Sequence, residues 1–290
     1  MENISTATSG VNNRQPDRIG KLWRQPLIRF IVLGIVLYLV LMVCLMFLEE
    51  SFIFFPSRYP EGDWRPQGLS FEDAYFQAAD GTKLHGWYVP HDSPKAVILF
   101  CHGNAGNITH RADILEELND IGASVLIFDY RGYGRSQGKP SEKGVLADAR
   151  AARAWLAKRE KIPEKNVVVM GESIGGAVAV DLAAKDGAKG LVLISTFTNL
   201  PELAAYHYPI FPVRLLMRSQ FDSVGLIAKY KGPLLQMHGD VDTIVPIKFG
   251  RKLFEAANEP KQFLVIHNHD HNDPLPQKFY TALKTFLEKL

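Results

Sequence analysis

The longest uniform stretch of the chain is Phe30 to Leu48, where no residue is charged and nearly every position is Leu, Ile, Val, Met or Phe. A helix over this stretch would be roughly 28 Å long, close to the hydrocarbon thickness of a bilayer. A core helix that is apolar on every face must be packed all round, which is difficult so near a chain end. A cleaved signal would have an apolar run of about 7–15 residues and a small-residue site. Here the run is longer, and Glu49-Glu50-Ser51-Phe52 follows it. The pattern therefore predicts an uncleaved membrane anchor over 30–48. The next apolar group, Phe52-Ile53-Phe54-Phe55-Pro56, is too short for a second crossing and is expected to pack against the following domain, with a place at the membrane interface as the alternative.

From about residue 70 the pattern changes to short apolar runs separated by amphipathic stretches, without internal repeats. Phe71–Ala78 and Leu84–Val89, joined near Asp80-Gly81, read as an antiparallel pair. Ala96–Cys101, Ser124–Asp129, Asn166–Met170, Gly190–Ser195, Pro233–His238 and Gln262–Ile266 read as further strands, most of them followed by helical stretches. Wholly apolar short strands between helices indicate a mostly parallel central sheet covered by helices on both faces. This predicts one α/β domain over 70–290, a juxtamembrane linker over 49–69, the anchor over 30–48 and a disordered polar tail over 1–29. In such sheets the chemistry lies at the carboxyl ends of the strands.

Composition narrows the function classes only a little. The 290 residues are 47% apolar and 22% charged, as in ordinary globular proteins. A net charge of +2, with no basic arm interleaved with aromatics, gives no reason to expect a nucleic-acid partner. The two cysteines, Cys44 in the apolar run and Cys101 at a strand end, are expected to be free. Arg14, Arg18, Lys21, Arg24 and Arg29 precede the apolar run, and Glu49 and Glu50 follow it. The positive-inside rule then predicts a cytoplasmic N-terminus and an extracytoplasmic domain.

The strongest chemical signal is Gly171-Glu172-Ser173-Ile174-Gly175, a G-x-S-x-G placed after the apolar run Val167–Met170 and before an Ala/Val-rich helix. A serine on a sharp strand-to-helix turn is exposed for attack, and the flanking glycines let neighbouring backbone approach it. A hydroxyl is a weak nucleophile and needs a base held by a third group. Downstream, His238-Gly239-Asp240-Val241-Asp242 ends one strand, and His267-Asn268-His269-Asp270-His271 ends the last. Asp242 is the candidate acid, with Asp240 as its rival. His271 is the candidate base, with His269 in reserve. Three histidines at alternate positions could bind a metal on an extended chain, but no other metal-ligand spacing supports this. For an oxyanion hole, the backbone amides of Ile174 and of Asn104, in the turn His102–Asn107, are the candidates. His102 itself reads as scaffold. Substrate contacts are sought in Leu200–Lys231, whose Tyr206, Tyr208, Phe211, Leu215, Met217 and Phe221 read equally as ordinary core packing or as an acyl-chain groove near the bilayer.

Together HGNAGN, Asp129–Gly144, GESIGG, HGDVDTIVP and HND resemble the membrane-anchored α/β-hydrolases related to the bud-emergence protein and the abhydrolase-domain acyl-protein thioesterases. The resemblance covers about residues 50–290. It implies an α/β-hydrolase fold, Ser173 as nucleophile, Asp242 as acid, His271 as base, and no cofactor or metal. The chain departs from the pattern at Asp270, where a glycine commonly precedes the histidine. Asp129, Arg131 and Asp148 belong to the resemblance and are expected to be scaffold. The reading is a membrane serine hydrolase of acyl esters or thioesters. Its rivals are a peptidase of the same fold and a non-catalytic membrane scaffold.

Overall fold

The structure, a computed structural model, describes residues 26–290. Most of the expected polar tail, with four of its five basic residues, lies outside the described residues. The described chain begins with helix α1 (Pro26–Phe47), long and apolar enough by composition to cross a membrane. It already includes Pro26–Arg29, ahead of the expected start at Phe30. Leu48 to Leu290 form a separate compact unit.

That unit is built on an eight-stranded sheet. Its strands are β2 (Glu72–Gln77), β3 (Lys83–Val89), β4 (Ala96–Cys101), β6 (Ala123–Asp129), β7 (Val168–Glu172), β8 (Leu191–Ile194), β9 (Leu234–Gly239) and β10 (Lys261–Ile266). They lie in the order β10-β9-β8-β7-β4-β6-β3-β2. The neighbours are parallel except for β2–β3 and β3–β6.

The alternation of β4 shows why these strands read as apolar throughout. Val97, Leu99 and Cys101 join one core with Val145, Ala149 and Leu156 of α4 (Glu142–Glu160) and with Ala177 and Val178 of α5 (Ile174–Asp186). Ile98 and Phe100 join the opposite core with Leu115 of α3 (Ala112–Asp120) and Phe279 and Leu283 of α10 (Gln277–Leu287). Successive side chains point to opposite faces, and both faces are covered, so no position can be polar without a partner.

Three short helices sit between β8 and β9: α6 (Leu200–His207), α7 (Val213–Leu216) and α8 (Ser223–Ile227). Phe221 is buried in the core here, whereas Leu215 is 84% exposed and Tyr208 58%. Core packing and an open apolar surface therefore share this insert.

Residues 49–69, expected as a linker, lie inside the same compact unit as the sheet. A one-turn helix α2 (Glu49–Ile53) leads into strand β1 (Phe55–Pro56), which pairs in parallel with β5 (Ala105–Gly106). Ile53 and Phe54 are buried, with Phe54 edge-on to Phe221 at 6.3 Å. Glu49 is 6% exposed and accepts from Ser219 N at 2.7 Å and Arg218 N at 3.1 Å. Glu142 accepts the next two amides, Gln220 N at 2.7 Å and Phe221 N at 2.6 Å. Two carboxylates thus hold four consecutive N–H groups where the insert returns to the core.

Burial alone would raise the Glu49 pKa, but the hydrogen bonds from Ser219 and Arg218 outweigh it and hold the carboxyl below its ordinary 4.5. A depressed carboxyl adds stability above its unfolded pKa and loses it as pH falls through the folded value. Glu49→Ala should lower the unfolding free energy of the full chain by about 1–3 kcal/mol at pH 7. Chemical denaturation should show the gap from wild type closing as the pH is taken down below 4.5.

Candidate active site

Ser173 stands between the end of β7 and the first turn of α5, with φ 54° and ψ −119°. A non-glycine residue with positive φ is strained and persists only where its surroundings fix it. Its N–H donates to Ile194 O at 2.9 Å, and its carbonyl accepts from Gly176 N at 3.0 Å and Thr196 Oγ1 at 2.7 Å. The backbone of the turn is thus satisfied on both sides. Gly175 supplies the close approach: a Cβ there would run into the carbonyl oxygens of Cys101 and His102. The first turn of α5 is therefore pressed against the end of β4, where the His102–Asn107 turn begins.

Within that turn, His102 is fully buried. Burial, assisted by the nearby Arg111 charge, pushes its pKa down to about 3, so the ring is neutral at ordinary pH. Its Nδ1 lies 2.7 Å from Gly103 O, and Tyr130 Oη donates to His102 O at 3.0 Å. A ring nitrogen beside a carbonyl must be the donor, which fixes the tautomer. Beside the turn, Arg111 Nε pairs with Glu172 Oε2 at 3.3 Å, which fastens the residue before Ser173 to the far side of the turn. The Asn104 side chain is held by Tyr133 Oη, which donates to its Oδ1 at 3.0 Å.

The ends of β9 and β10 bring two acids to two different histidines. Asp242 Oδ2 is 2.8 Å from His271 Nδ1, and Asp242 Oδ1 accepts from Val245 N at 2.6 Å and Ile244 N at 3.0 Å. His238 Nε2 adds a contact to Asp242 Oδ2 at 3.4 Å while meeting Val245 O at 2.7 Å. Burial opposes the charge on Asp242, but His238, His271 and the Val245 amide prevail and hold its carboxyl far below the usual carboxylate range. It is ionised at any ordinary pH. Asp240 instead accepts from Asn268 N at 2.7 Å and pairs with His267 Nδ1 at 2.8 Å near the surface.

The alternate histidines do not converge. His267 meets Asp240, His271 meets Asp242, and buried His269 lies 4.0 Å from Asp273. Among the described residues no group of His, Cys, Asp or Glu is arranged to hold a metal ion. Both cysteines are free.

Asp270, where the chain departs from the resembled pattern, has defined partners. Its carboxylate accepts from Thr243 N at 2.8 Å, Thr243 Oγ1 at 3.0 Å and His271 N at 2.8 Å. It thereby ties the loop carrying Asp242 to the loop carrying His271. Sequence reasoning missed this residue and Arg111 because each acts on a partner far away in the chain; it missed His238, whose partners Asp242 and Val245 follow closely, because they meet its ring only once the loop after β9 folds back over it. Arg131 forms its buried pair with Asp148 at 2.7 Å and reaches Asp80 at 2.8 Å. Asp129 accepts from Ile108 N at 3.1 Å, at the start of the turn of 3₁₀ helix before α3. All three residues brace loops.

Residues 92–224 match a family described as serine aminopeptidase, S33; the matched stretch contains Ser173 but not Asp242 or His271. An uncharacterized protein of Mycobacterium tuberculosis is 41% identical over 228 residues, covering 78% of this chain and 81% of that one. The α/β-hydrolase domain-containing protein WAV2 of Arabidopsis thaliana is 31% identical over 228 residues, covering 72% and 71%. An uncharacterized membrane protein of Saccharomyces cerevisiae is 31% identical over 229 residues, covering 76% and 81%. Among solved structures, an esterase of Pyrococcus furiosus superposes with a TM-score of 0.68 at 23% identity, over 82% of this chain and 98% of that one.

The Gly175 contact makes a direct prediction. Gly175→Ala should destabilise the unit by about 1–3 kcal/mol or more, since the added methyl meets main-chain oxygens that cannot turn aside. A denaturant midpoint matching wild type would show that the turn and α5 are not pressed together.

Proposed function

Since the chain belongs to the α/β-hydrolase family and is a hydrolase of that fold, we propose that it cleaves acyl esters or thioesters through a covalent intermediate on Ser173. The observation that carries this reading is the buried, ionised Asp242 at 2.8 Å from His271 Nδ1, at the same sheet edge as the strained Ser173 turn. An imidazole whose Nδ1 donates to a carboxylate has Nε2 left to take a proton.

In this mechanism His271 Nε2 accepts the Ser173 proton as the hydroxyl oxygen bonds to the acyl carbon. The carbonyl oxygen becomes an oxyanion, for which the amides of Asn104 and Ile174 are the donors. Asp242 orients the ring and stabilises its charged form. The tetrahedral adduct collapses as His271 returns the proton to the leaving alcohol or thiol, and the acyl–Ser173 ester remains. Water then repeats the attack with His271 as base, and the carboxylic acid leaves.

The family description favours a second reading, hydrolysis of an N-terminal peptide bond by the same groups. Parallel assays on short-chain p-nitrophenyl esters, an acyl thioester and an aminoacyl arylamide separate the two.

Ser173→Ala should abolish turnover with the fold retained. Asp242→Asn should lower it by about 10⁴-fold, since an amide favours the wrong tautomer, while Asp240→Asn should change it little. Residual turnover above a few per cent in Ser173→Ala, or an equal loss at Asp240, contradicts the assignment.

We further place α1 across a membrane with the N-terminus cytoplasmic, on its length, its apolar composition and the five basic residues that precede Phe30. Protease added outside intact cells should then reach the catalytic unit. Full protection until the membrane is permeabilised would reverse the orientation and favour a cytoplasm-facing thioesterase.

A further inference from the structure

The segment that follows α1 is bonded to the turn that carries a proposed oxyanion donor. The Asn104 side chain donates to Ile53 O, and its Oδ1 accepts from Phe55 N at 3.3 Å and from Tyr133 Oη at 3.0 Å. Directly after it, Ala105 and Gly106 pair with Phe55 and Pro56 as β5 with β1. Ser57 N donates to Gly106 O at 3.0 Å, and Asn107 Nδ2 donates to Glu61 O at 2.9 Å. On its other side the segment meets Tyr133–Gly134, with Gly134 N donating to Ser57 O at 2.9 Å and Tyr59 N to Gly134 O at 3.0 Å. Its start is fixed by Glu49 to the amides of Arg218 and Ser219.

We propose that residues 49–57 are a strap that positions the oxyanion turn, with the Asn104 side chain as the positioning group that joins the strap to the Asn104 amide. This rests on the reading of that amide as an oxyanion donor. Residues 103–106 have no regular structure of their own beyond the two-residue pairing, and Gly103 and Gly106 leave the backbone soft on either side of Asn104. An amide that stabilises a transition state must be held in place before the charge develops, because reorganisation during reaction cancels the gain. Three hydrogen bonds on one half-buried side chain, two of them to the strap backbone, supply that constraint. The helix start at Ser173 fixes the other donor, Ile174. The strap does the same for the donor that lacks a helix.

The test uses the full-length chain with Asn104→Asp, Asn104→Ala and Tyr133→Phe, assayed on a short-chain p-nitrophenyl ester and with an alkyl trifluoromethyl ketone, whose serine adduct carries an oxyanion. All three variants retain the Asn104 main-chain amide or a replacement amide at the same place, and only its support changes. Asn104→Asp sets a carboxylate oxygen against Ile53 O. It should lower kcat by about 10-fold or more, below the full loss of one donor, with KM within twofold and the ketone Ki raised by the same factor as kcat falls. Tyr133→Phe should move the same quantities in the same direction by less. A structural role alone would shift the thermal midpoint without linking kcat to Ki. Unchanged kcat and Ki in the Asn104 variants, or a loss confined to KM, overturns the proposal. If the Asn104 variants fail to fold, unchanged kcat and Ki in Tyr133→Phe overturns it. Ser173→Ala run alongside keeps the two readings separate: turnover surviving there contradicts the nucleophile, whereas its loss with unaffected Asn104 variants contradicts only the strap.

Discussion

Everything at this site is arranged around a backbone angle that a serine would not choose. Ser173 sits at φ 54°, a conformation that costs on the order of 1–3 kcal/mol for a residue with a side chain. The cost is offset by contacts that exist only in the complete sheet: Ile194 O and Thr196 Oγ1 at the end of β8 on one side, and α5 lying against the end of β4 through Gly175 on the other. The strained turn is therefore a product of the parallel order β8-β7-β4, in which the strand bearing Ser173 lies between its two supports. Loosening either neighbour would relax the serine into an ordinary turn.

That same strand order brings residues far apart in the chain to one edge of the sheet. Parallel strands with helical returns leave all their carboxyl ends on one edge. The loops after β4, β7, β9 and β10 carry, respectively, Asn104, Ser173, Asp242 and His271. Electrostatics then sorts the acids. Asp242 is buried, receives two amides and faces His271, while Asp240 lies at the surface and faces His267.

The strands were legible because burial on both faces leaves runs with no polar interruption. β4 occupies Ala96–Cys101, the same residues that its apolar run marks, and β7 and β9 depart from theirs by two residues or fewer at each end. The G-x-S-x-G turn was legible because its glycines answer a local steric need. The sequence left Asp240 and Asp242 both open, because two acids two residues apart on a loop differ only in what they meet across the sheet. The packing of Phe52–Pro56 on the domain was legible from its apolar character, and Ile53 and Phe54 are buried. The ties of the strap were not legible: main-chain pairing with residues 105–106 and one asparagine impose no hydrophobic period, so 49–69 as a whole reads as linker. The role of Asp270 was hidden for the same reason: its partner Thr243 lies 27 residues earlier in the chain.

The central claim is that the Ser173 oxygen is the atom that bonds to the acyl group. A fluorophosphonate reacts with an activated serine and leaves a stable phosphonyl adduct, so the direct measurement is peptide mapping of the full-length chain after such labelling. The account predicts one adduct, on the peptide carrying Gly171–Gly175 and localised to Ser173, with labelling lost when Asp242 is replaced by Asn. No adduct under conditions where a known serine hydrolase is fully labelled, or an adduct on another residue, would contradict it.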